Sequence, residues 1–452
     1  MEFVFLLENS IDKIQNLKEY YETQIKNIET HLESEKGRYK YGVLLEKFFF
    51  NKSMDQETEL TDEEMLEINK IIDSYDVEKR EEGIVIRYKL KNISNLKPEY
   101  ELDPHVATSE YFKLLEQPKI HSESTLMMLL IRYEEAVSGI FKYILMQYPE
   151  AYLKEKCITY SELMAVDTDI KEVKKHFVEK EAEEFMRRPI NEWYSTFEQK
   201  HKVKFDFGSN NFEKFKEVYY RRNLIVHNQG KVNETYLKNV VSDLCGNVKK
   251  GKLLEVDKDY LKNAFEYTQL ILYGTFWSLR RLSKEKKKLE DRIFDKGFIH
   301  MLNGEWKLSE YIYNLMMKEK EQSDAEKFCN KVNYWISVKN LGNFDSIEAE
   351  IRNLDVSAMI GQFKVAKYAL LDEFEKVTEI LEDIIGNELP ACYVEQWPLF
   401  IQYRQSDEYK KFRNKHKEEF EKLGYQPECL EMNSQDDIDD IIEDCGDNME
   451  FI

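Results

Sequence analysis

Of the eight histidines in this 452-residue chain, only His227 has an arginine five positions before it, in the run Arg222-Asn223-Leu224-Ile225-Val226-His227-Asn228. These residue types suit phosphoryl chemistry. An imidazole that titrates near neutrality takes a proton from one oxygen and supplies one to another. A guanidinium fork holds the extra charge of a pentacovalent phosphorus, and the Asn223 amide can orient the imidazole or a phosphate oxygen. On a helical wheel Phe212, Phe215, Val218, Tyr219, Ile225 and Val226 form an apolar stripe with Arg222 in its middle, while Arg221 points a quarter turn or more away. A guanidinium at a seam position calls for a carboxylate, a phosphate or a subunit interface to meet it. Glu134 and Glu135, on an earlier helical segment, are the candidate carboxylates, and Arg221 and Asn228 are candidate supporting residues.

The elements that must carry these residues read as helices. Few Gly and Pro (16 and 8) and many Glu, Lys, Leu and Ile favour helix on propensity. Residues 8–35 show helical spacing through Ile11, Ile14, Leu17, Tyr21, Ile25, Ile28 and Leu32. Ile84, Ile86, Tyr88 and Leu90 alternate with polar or smaller residues, so one strand or hairpin is expected near 84–90. Residues 55–64 and 98–104 read as loops. A strong helix is expected from Ser122 toward Pro149, a charged helical stretch over 169–200 broken at Pro189, a helix from Asn210-Asn211 to Asn228 ended by Gly230, and a helix from Leu261 to Leu282. Beyond these, the turns Gly304-Glu305-Trp306, Gly342-Asn343-Phe344 and Asp372-Glu373-Phe374 recur 38 and 30 residues apart, each opening an apolar helical pattern. Such a recurrence fits an array of helix hairpins, none of which buries its face alone. It resembles a tetratricopeptide-like solenoid, with ordinary antiparallel helices as the alternative.

The Arg-x4-His run, the aromatic helix before it, the His-Asn-x-Gly ending and Val232-Asn233-Glu234-Thr235-Tyr236-Leu237 after it resemble bacterial HEPN proteins, as does the stretch 169–205 with Phe185 and Trp193. The resemblance covers roughly residues 105–280. It implies a helical bundle and metal-independent RNA cleavage, in which the 2′-hydroxyl attacks the adjacent phosphate to leave a cyclic phosphate and a free 5′-hydroxyl. Arg222, Asn223 and His227 are then the catalytic set, with no metal or other cofactor. Arg222 and His227 lie about 140° apart on a straight helix, and the resemblance implies that a homodimer brings both motifs into one cleft.

Charge is unevenly distributed. The net −21 divides into −10 over residues 1–110, +5 over 111–300 and −16 over 301–452, so only the middle approaches a phosphate backbone without a large penalty. The basic runs 171–175 and 284–288 are phosphate-tracking candidates, with a solvated helix face as the plainer reading. No apolar run is long enough for a bilayer, and the acid at Glu2 differs from a secretory leader, which leads to the expectation of a cytoplasmic protein without membrane contact. Six scattered cysteines without a Cys-x-x-Cys pair read as reduced thiols. The expected organisation is a mainly α chain: an N-terminal helical and minor β unit at 1–104, an HEPN-like helical bundle at 105–290, a tetratricopeptide-like array at 291–425 and an acidic tail at 426–452. The tail is a candidate RNA mimic over the basic cleft. The expected function is endoribonuclease action on RNA in antiphage or abortive-infection defence, the helical array receiving a protein partner or trigger. The alternative is a non-catalytic dimerising and partner-binding protein, or a neutralising partner of a toxin.

Overall fold

The computed structural model describes residues 2–36, 39, 42–44, 47–48, 61–80, 83–88, 104–157, 159–161, 170–208, 210–245 and 248–421. The acidic tail, residues 55–60 and residues 98–103 lie outside them. The described chain is mainly helical. In order it runs α1 (Phe3–Glu35), α2 (Asp62–Ser74), β1 (Tyr75–Arg80), β2 (Gly83–Tyr88), α3 (Pro104–Gln147), α4 (Ile170–Met186), α5 (Ile190–His201), α6 (Asn211–Asn228), α7 (Glu234–Asn239) and α8 (Lys258–Leu279). There follow α9 (Lys286–Leu302), α10 (Trp306–Met317), α11 (Asp324–Asn340), α12 (Asp345–Arg352), α13 (Gly361–Leu370), α14 (Phe374–Ile384), α15 (Ala391–Gln396) and α16 (Asp407–Lys415). The two strands pair antiparallel from Tyr75↔Tyr88 to Arg80↔Gly83. They overlap the 84–90 segment through Tyr88, and residues 89 and 90 lie outside the described chain.

Two boundaries differ from the pattern in the sequence. Residues 62–64, read as loop, open α2 instead, because the Thr61 hydroxyl accepts from the Glu64 N–H (3.2 Å) while the Glu64 carboxylate accepts from the Thr61 N–H (3.0 Å). This reciprocal cap satisfies two donors that a helix start leaves open. α3 begins well before Ser122 and carries Pro118 within it. The buried Tyr111, whose ring centroid lies 6.0 Å from that of Tyr39, supplies tertiary packing to this early part of the helix.

Contacts gather the chain into two units. One comprises residues 8–137 and 213–268, the other residues 1–7, 138–212 and 269 onward. The segments 1–104 and 105–290 therefore each contribute to both units. Long helices account for this, since α1, α3, α6 and α8 each supply residues to two sets of contacts.

In the second unit the Phe141 and Phe185 rings stack at 3.9 Å, and Phe197 meets both edge-on. The three recurrent turns prove to share one conformation. Gly304, Gly342 and Asp372 have φ of 69°, 80° and 57°. In each the next residue's N–H reaches back five positions: Glu305 to His300 O (2.8 Å), Asn343 to Val338 O (3.1 Å) and Glu373 to Tyr368 O (3.0 Å). This is the left-handed closure that ends a helix and reverses the chain, and glycine meets it without a Cβ penalty. Asp372 tolerates it as an Asx residue does, with its carboxylate held by Lys339 at 2.6 Å. The turns join α9 to α10, α11 to α12 and α13 to α14.

A buried ionic cluster ties the segment after α8 to α9 and to the residues that follow α10. Glu319 accepts from Arg280, from Arg281 Nη2 (3.1 Å) and from the N–H of Lys320 (2.9 Å), while Arg280 also donates to Glu290 (2.9 Å) and to the Trp277 carbonyl (2.6 Å). Burial alone would raise the Glu319 pKa, but the Arg280 hydrogen bond and charge outweigh it and hold the carboxyl down to about 2. A carboxylate with a depressed folded pKa stabilises the fold above its ordinary pKa and loses that contribution as the pH falls through the folded value. Glu319→Gln should therefore show its largest deficit in urea unfolding at pH 5 and above, roughly 3 kcal/mol from this shift. That deficit should shrink as the pH is lowered toward 2, and a deficit independent of pH between 5 and 2.5 would contradict the assignment.

Candidate functional site

The candidate residues Glu134, Glu135, Arg221, Arg222, Asn223, His227 and Asn228 all lie in the unit formed by residues 8–137 and 213–268. α6 carries most of them, and its orientation follows from which side chains it buries: Phe215, Lys216, Glu217, Val218 and Leu224. Phe215 packs against Tyr133 of α3 at 4.5 Å between ring centroids. At the other end of the stripe the outcome differs from the wheel. Val226 is 49% exposed and Ile225 half-buried, whereas Leu224 is buried in a cluster with Val232, Tyr236, Val240 and Leu254. The reason is a second buried face, on which Glu217, Arg221 and Leu224 succeed one another at four and three residues.

Glu217 is the centre of that face. Its Oε1 accepts from Arg221 Nε (2.7 Å) and from the Tyr236 hydroxyl (2.6 Å), and its Oε2 from the Tyr260 hydroxyl (2.7 Å). Arg221 further donates to the Glu255 carbonyl (2.8 Å) and lies 3.9 Å from the Tyr260 ring centroid. Burial, and then the Glu217 charge, push the Tyr260 phenol well above its ordinary pKa, so it stays a donor. Arg221 is thus committed to a structural ion pair. The i,i+4 spacing of Glu217 and Arg221 was open to view in the sequence, but nothing local pointed to Tyr260.

Arg222 faces the other way. Its Nη2 donates to Glu134 of α3, and its guanidinium lies 5.1 Å from the Tyr219 ring centroid. Tyr219 also hydrogen-bonds Glu134, and burial, followed by the Glu134 charge, pushes its pKa up to about 12. The Nε of Arg222 is buried and has no hydrogen-bond partner among the described residues. Glu135, the neighbouring candidate, is turned instead to Arg132 (3.0 Å) and Lys13 (3.6 Å). Asn223 is half-buried and His227 exposed, and neither side chain has a hydrogen-bond partner among the described residues.

The helix stops directly after the motif. Gln229 and Gly230 both take positive φ (52° and 74°), and the Gly230 N–H returns to the Leu224 carbonyl at 3.0 Å. Asn228 donates its amide to the Lys231 carbonyl, closing the same turn. The arrangement therefore presents one partly satisfied guanidinium, one free amide and one free imidazole on a single helix, with Glu134 as the anion in contact with the guanidinium. Among the described residues no three His, Cys, Asp or Glu gather in a way that could hold a metal ion, and no helix is long and apolar enough to cross a membrane. Three lysines of the basic run 284–288 are engaged with acids: Lys286 with Glu321, Lys287 with Glu326 (2.6 Å) and Lys288 with Glu2 (3.5 Å). No protein-family model, curated protein or solved structure matches this chain.

The two arginines should respond differently to truncation. Arg221→Ala strands a buried carboxylate and should cost about 3–5 kcal/mol of unfolding free energy. Arg222→Ala removes a partly exposed pair and should cost no more than about 2 kcal/mol. Denaturant titration of both variants measures this, and equal losses would mean that Arg222 is as structural as its neighbour.

Proposed function

We propose that this chain is a metal-independent endoribonuclease of HEPN type that works as a homodimer in antiphage or abortive-infection defence. The observation that carries the reading is a guanidinium with an unpaired donor, five residues before an unpartnered exposed imidazole, at the end of one helix. Conserving atoms, the 2′-oxygen of the substrate forms a bond to phosphorus, the bond to the 5′-oxygen breaks, and the products are a 2′,3′-cyclic phosphate and a 5′-hydroxyl. His227 takes the proton from the 2′-hydroxyl or delivers one to the departing 5′-oxygen. Arg222 holds the non-bridging oxygens as their charge grows, exchanging its carboxylate partner for phosphate. Asn223 orients the imidazole or a phosphate oxygen. Because Arg222 and His227 are set apart around the helix, the second copy supplies the complementary group to each.

The three turns of shared conformation, each between two helices, support a tetratricopeptide-like array that receives a protein partner or trigger. The same feature favours a second reading, in which the chain dimerises and recruits partners without cutting RNA, or neutralises a toxin. Overexpression separates the two, since an unregulated nuclease arrests growth in a manner dependent on Arg222 and His227, and a binder does not.

The direct test incubates the purified protein with total RNA in EDTA and analyses the product ends. Cleavage should leave cyclic phosphates, and His227→Ala should lower the rate by roughly 10²–10⁴-fold. Absence of cleavage, or a His227→Ala variant as active as the parent, would end the nuclease reading.

A further inference from the structure

The segment that follows His227 does not leave the site. Val232 donates to the Lys252 carbonyl (2.9 Å), Gly251 to the Val232 carbonyl (2.8 Å) and Leu254 to the Gly230 carbonyl (3.0 Å), so residues 251–254 run antiparallel beside residues 230–232. Val232 and Leu254 anchor this short ladder in the cluster with Leu224 and Tyr236. Its base is therefore core, three residues from the imidazole along the chain. Its tip is solvent. Lys249, Lys250, Gly251 and Lys252 are all exposed, and Gly251, at φ 89°, has nothing within 4 Å of where a Cβ would stand.

The charges at that tip are not balanced. Lys250 meets Glu234 at 2.7 Å. Lys249 and Lys252 meet no carboxylate among the described residues. Residues 229–252 carry five lysines against Glu234 and Asp243, a net +3 inside a chain of net −21. Cations this close to the helix end ease its dipole, but one lysine in the last turn would serve that purpose, and a projecting loop with two further uncommitted ammonium groups exceeds it.

We infer that the Lys249–Lys252 tip is a phosphate-contacting arm that holds an RNA strand beside the Arg222 and His227 helix. This rests on the nuclease reading for the identity of the polyanion, and it deepens that reading by naming the groups that position the strand. Lys249 and Lys252 are positioning residues: they track phosphates flanking the scissile one and touch no reacting atom. Recognition of this kind is electrostatic and indifferent to base sequence.

The test uses a fluorescein-labelled 2′-O-methyl oligouridylate, which the proposed chemistry cannot cut, so binding is read separately from cleavage. By fluorescence anisotropy at low salt the full-length parent should bind it, and the exposed double variant Lys249→Ala/Lys252→Ala should bind roughly tenfold more weakly, with the slope of log K on log salt reduced by about 1.4. Lys250→Ala, whose charge is already paired, should lose less. Equal affinity and slope for parent and double variant, no binding by the parent, or displacement by polyglutamate as effective as by unlabelled RNA would each overturn the arm. Unchanged circular dichroism of the variants excludes misfolding as the cause of a loss. The two proposals fail separately. If binding depends on the lysines while RNA stays intact in EDTA, the arm stands and the nuclease reading falls. If RNA is cut with the same KM by parent and double variant and their affinities are equal, the nuclease reading stands and the arm falls.

Discussion

The carboxylate of Glu217 sets the rotation of α6. A buried carboxylate is costly unless its lone pairs are taken up, and here three donors do so: a guanidinium one turn along the same helix and phenols from α7 and α8. Those three donors converge only when the Glu217 and Arg221 side of the helix faces α7 and α8. The helix cannot turn about its axis without separating a buried charge from its partners. What the opposite side presents follows from that restraint, namely Phe215 and Arg222 toward α3 and His227 toward solvent.

Adjacent arginines thereby acquire different physical characters. The Arg221 guanidinium is spent on a carboxylate, a carbonyl and a ring face, all inside the fold. Arg222 has one carboxylate, a ring at longer range and a donor left over. A group of the second kind is suited to exchange. Glu134 keeps the guanidinium from being an isolated charge at rest, and Tyr219 hydrogen-bonds the same carboxylate. A phosphate offers more acceptor oxygens than one carboxylate oxygen does, and fork geometry lets Arg use two of them at once. In the proposed reaction this exchange is where substrate binding begins.

Much of this was legible in the sequence, and the parts that were not share a cause. The helix ending at Asn228, its stop at Gly230, the break at Pro189 and Glu134 as a candidate for Arg222 could all be read from spacing, capping residues and the need of a seam cation for an anion. The wheel misplaced Val226 because it weighed apolar character alone. Glu217 and Arg221 count as polar on any scale, but together with two phenols they form a face that buries as readily as an apolar one and draws Leu224 inward with it. Tyr260 is 43 residues from Glu217 and carries no local signal. The early start of α3 was hidden for a related reason, since Pro118 argues against a helix that packing around Tyr111 supports. Among the repeated turns, Asp372 shows the reverse: a residue that tolerates the left-handed region for its own reasons was readable as equivalent to glycine from position alone.

Acids outnumber bases in this chain by 87 to 66, and Lys286, Lys287 and Lys288 each meet a carboxylate, so most of a basic run that reads as a phosphate-tracking candidate in the sequence is a set of ion pairs in the fold. Surface pairs of this kind contribute little to stability, but each cancels the field of its lysine against those of neighbouring carboxylates. A loop that keeps two of its three lysines clear of them, on a ladder hydrogen-bonded to the chain leaving His227, creates a local positive field that the rest of the molecule opposes. Such a field is short-ranged at physiological salt, fading over about 8 Å. It can therefore act only on a polyanion lying close to this ladder, whose first residue is Gly230.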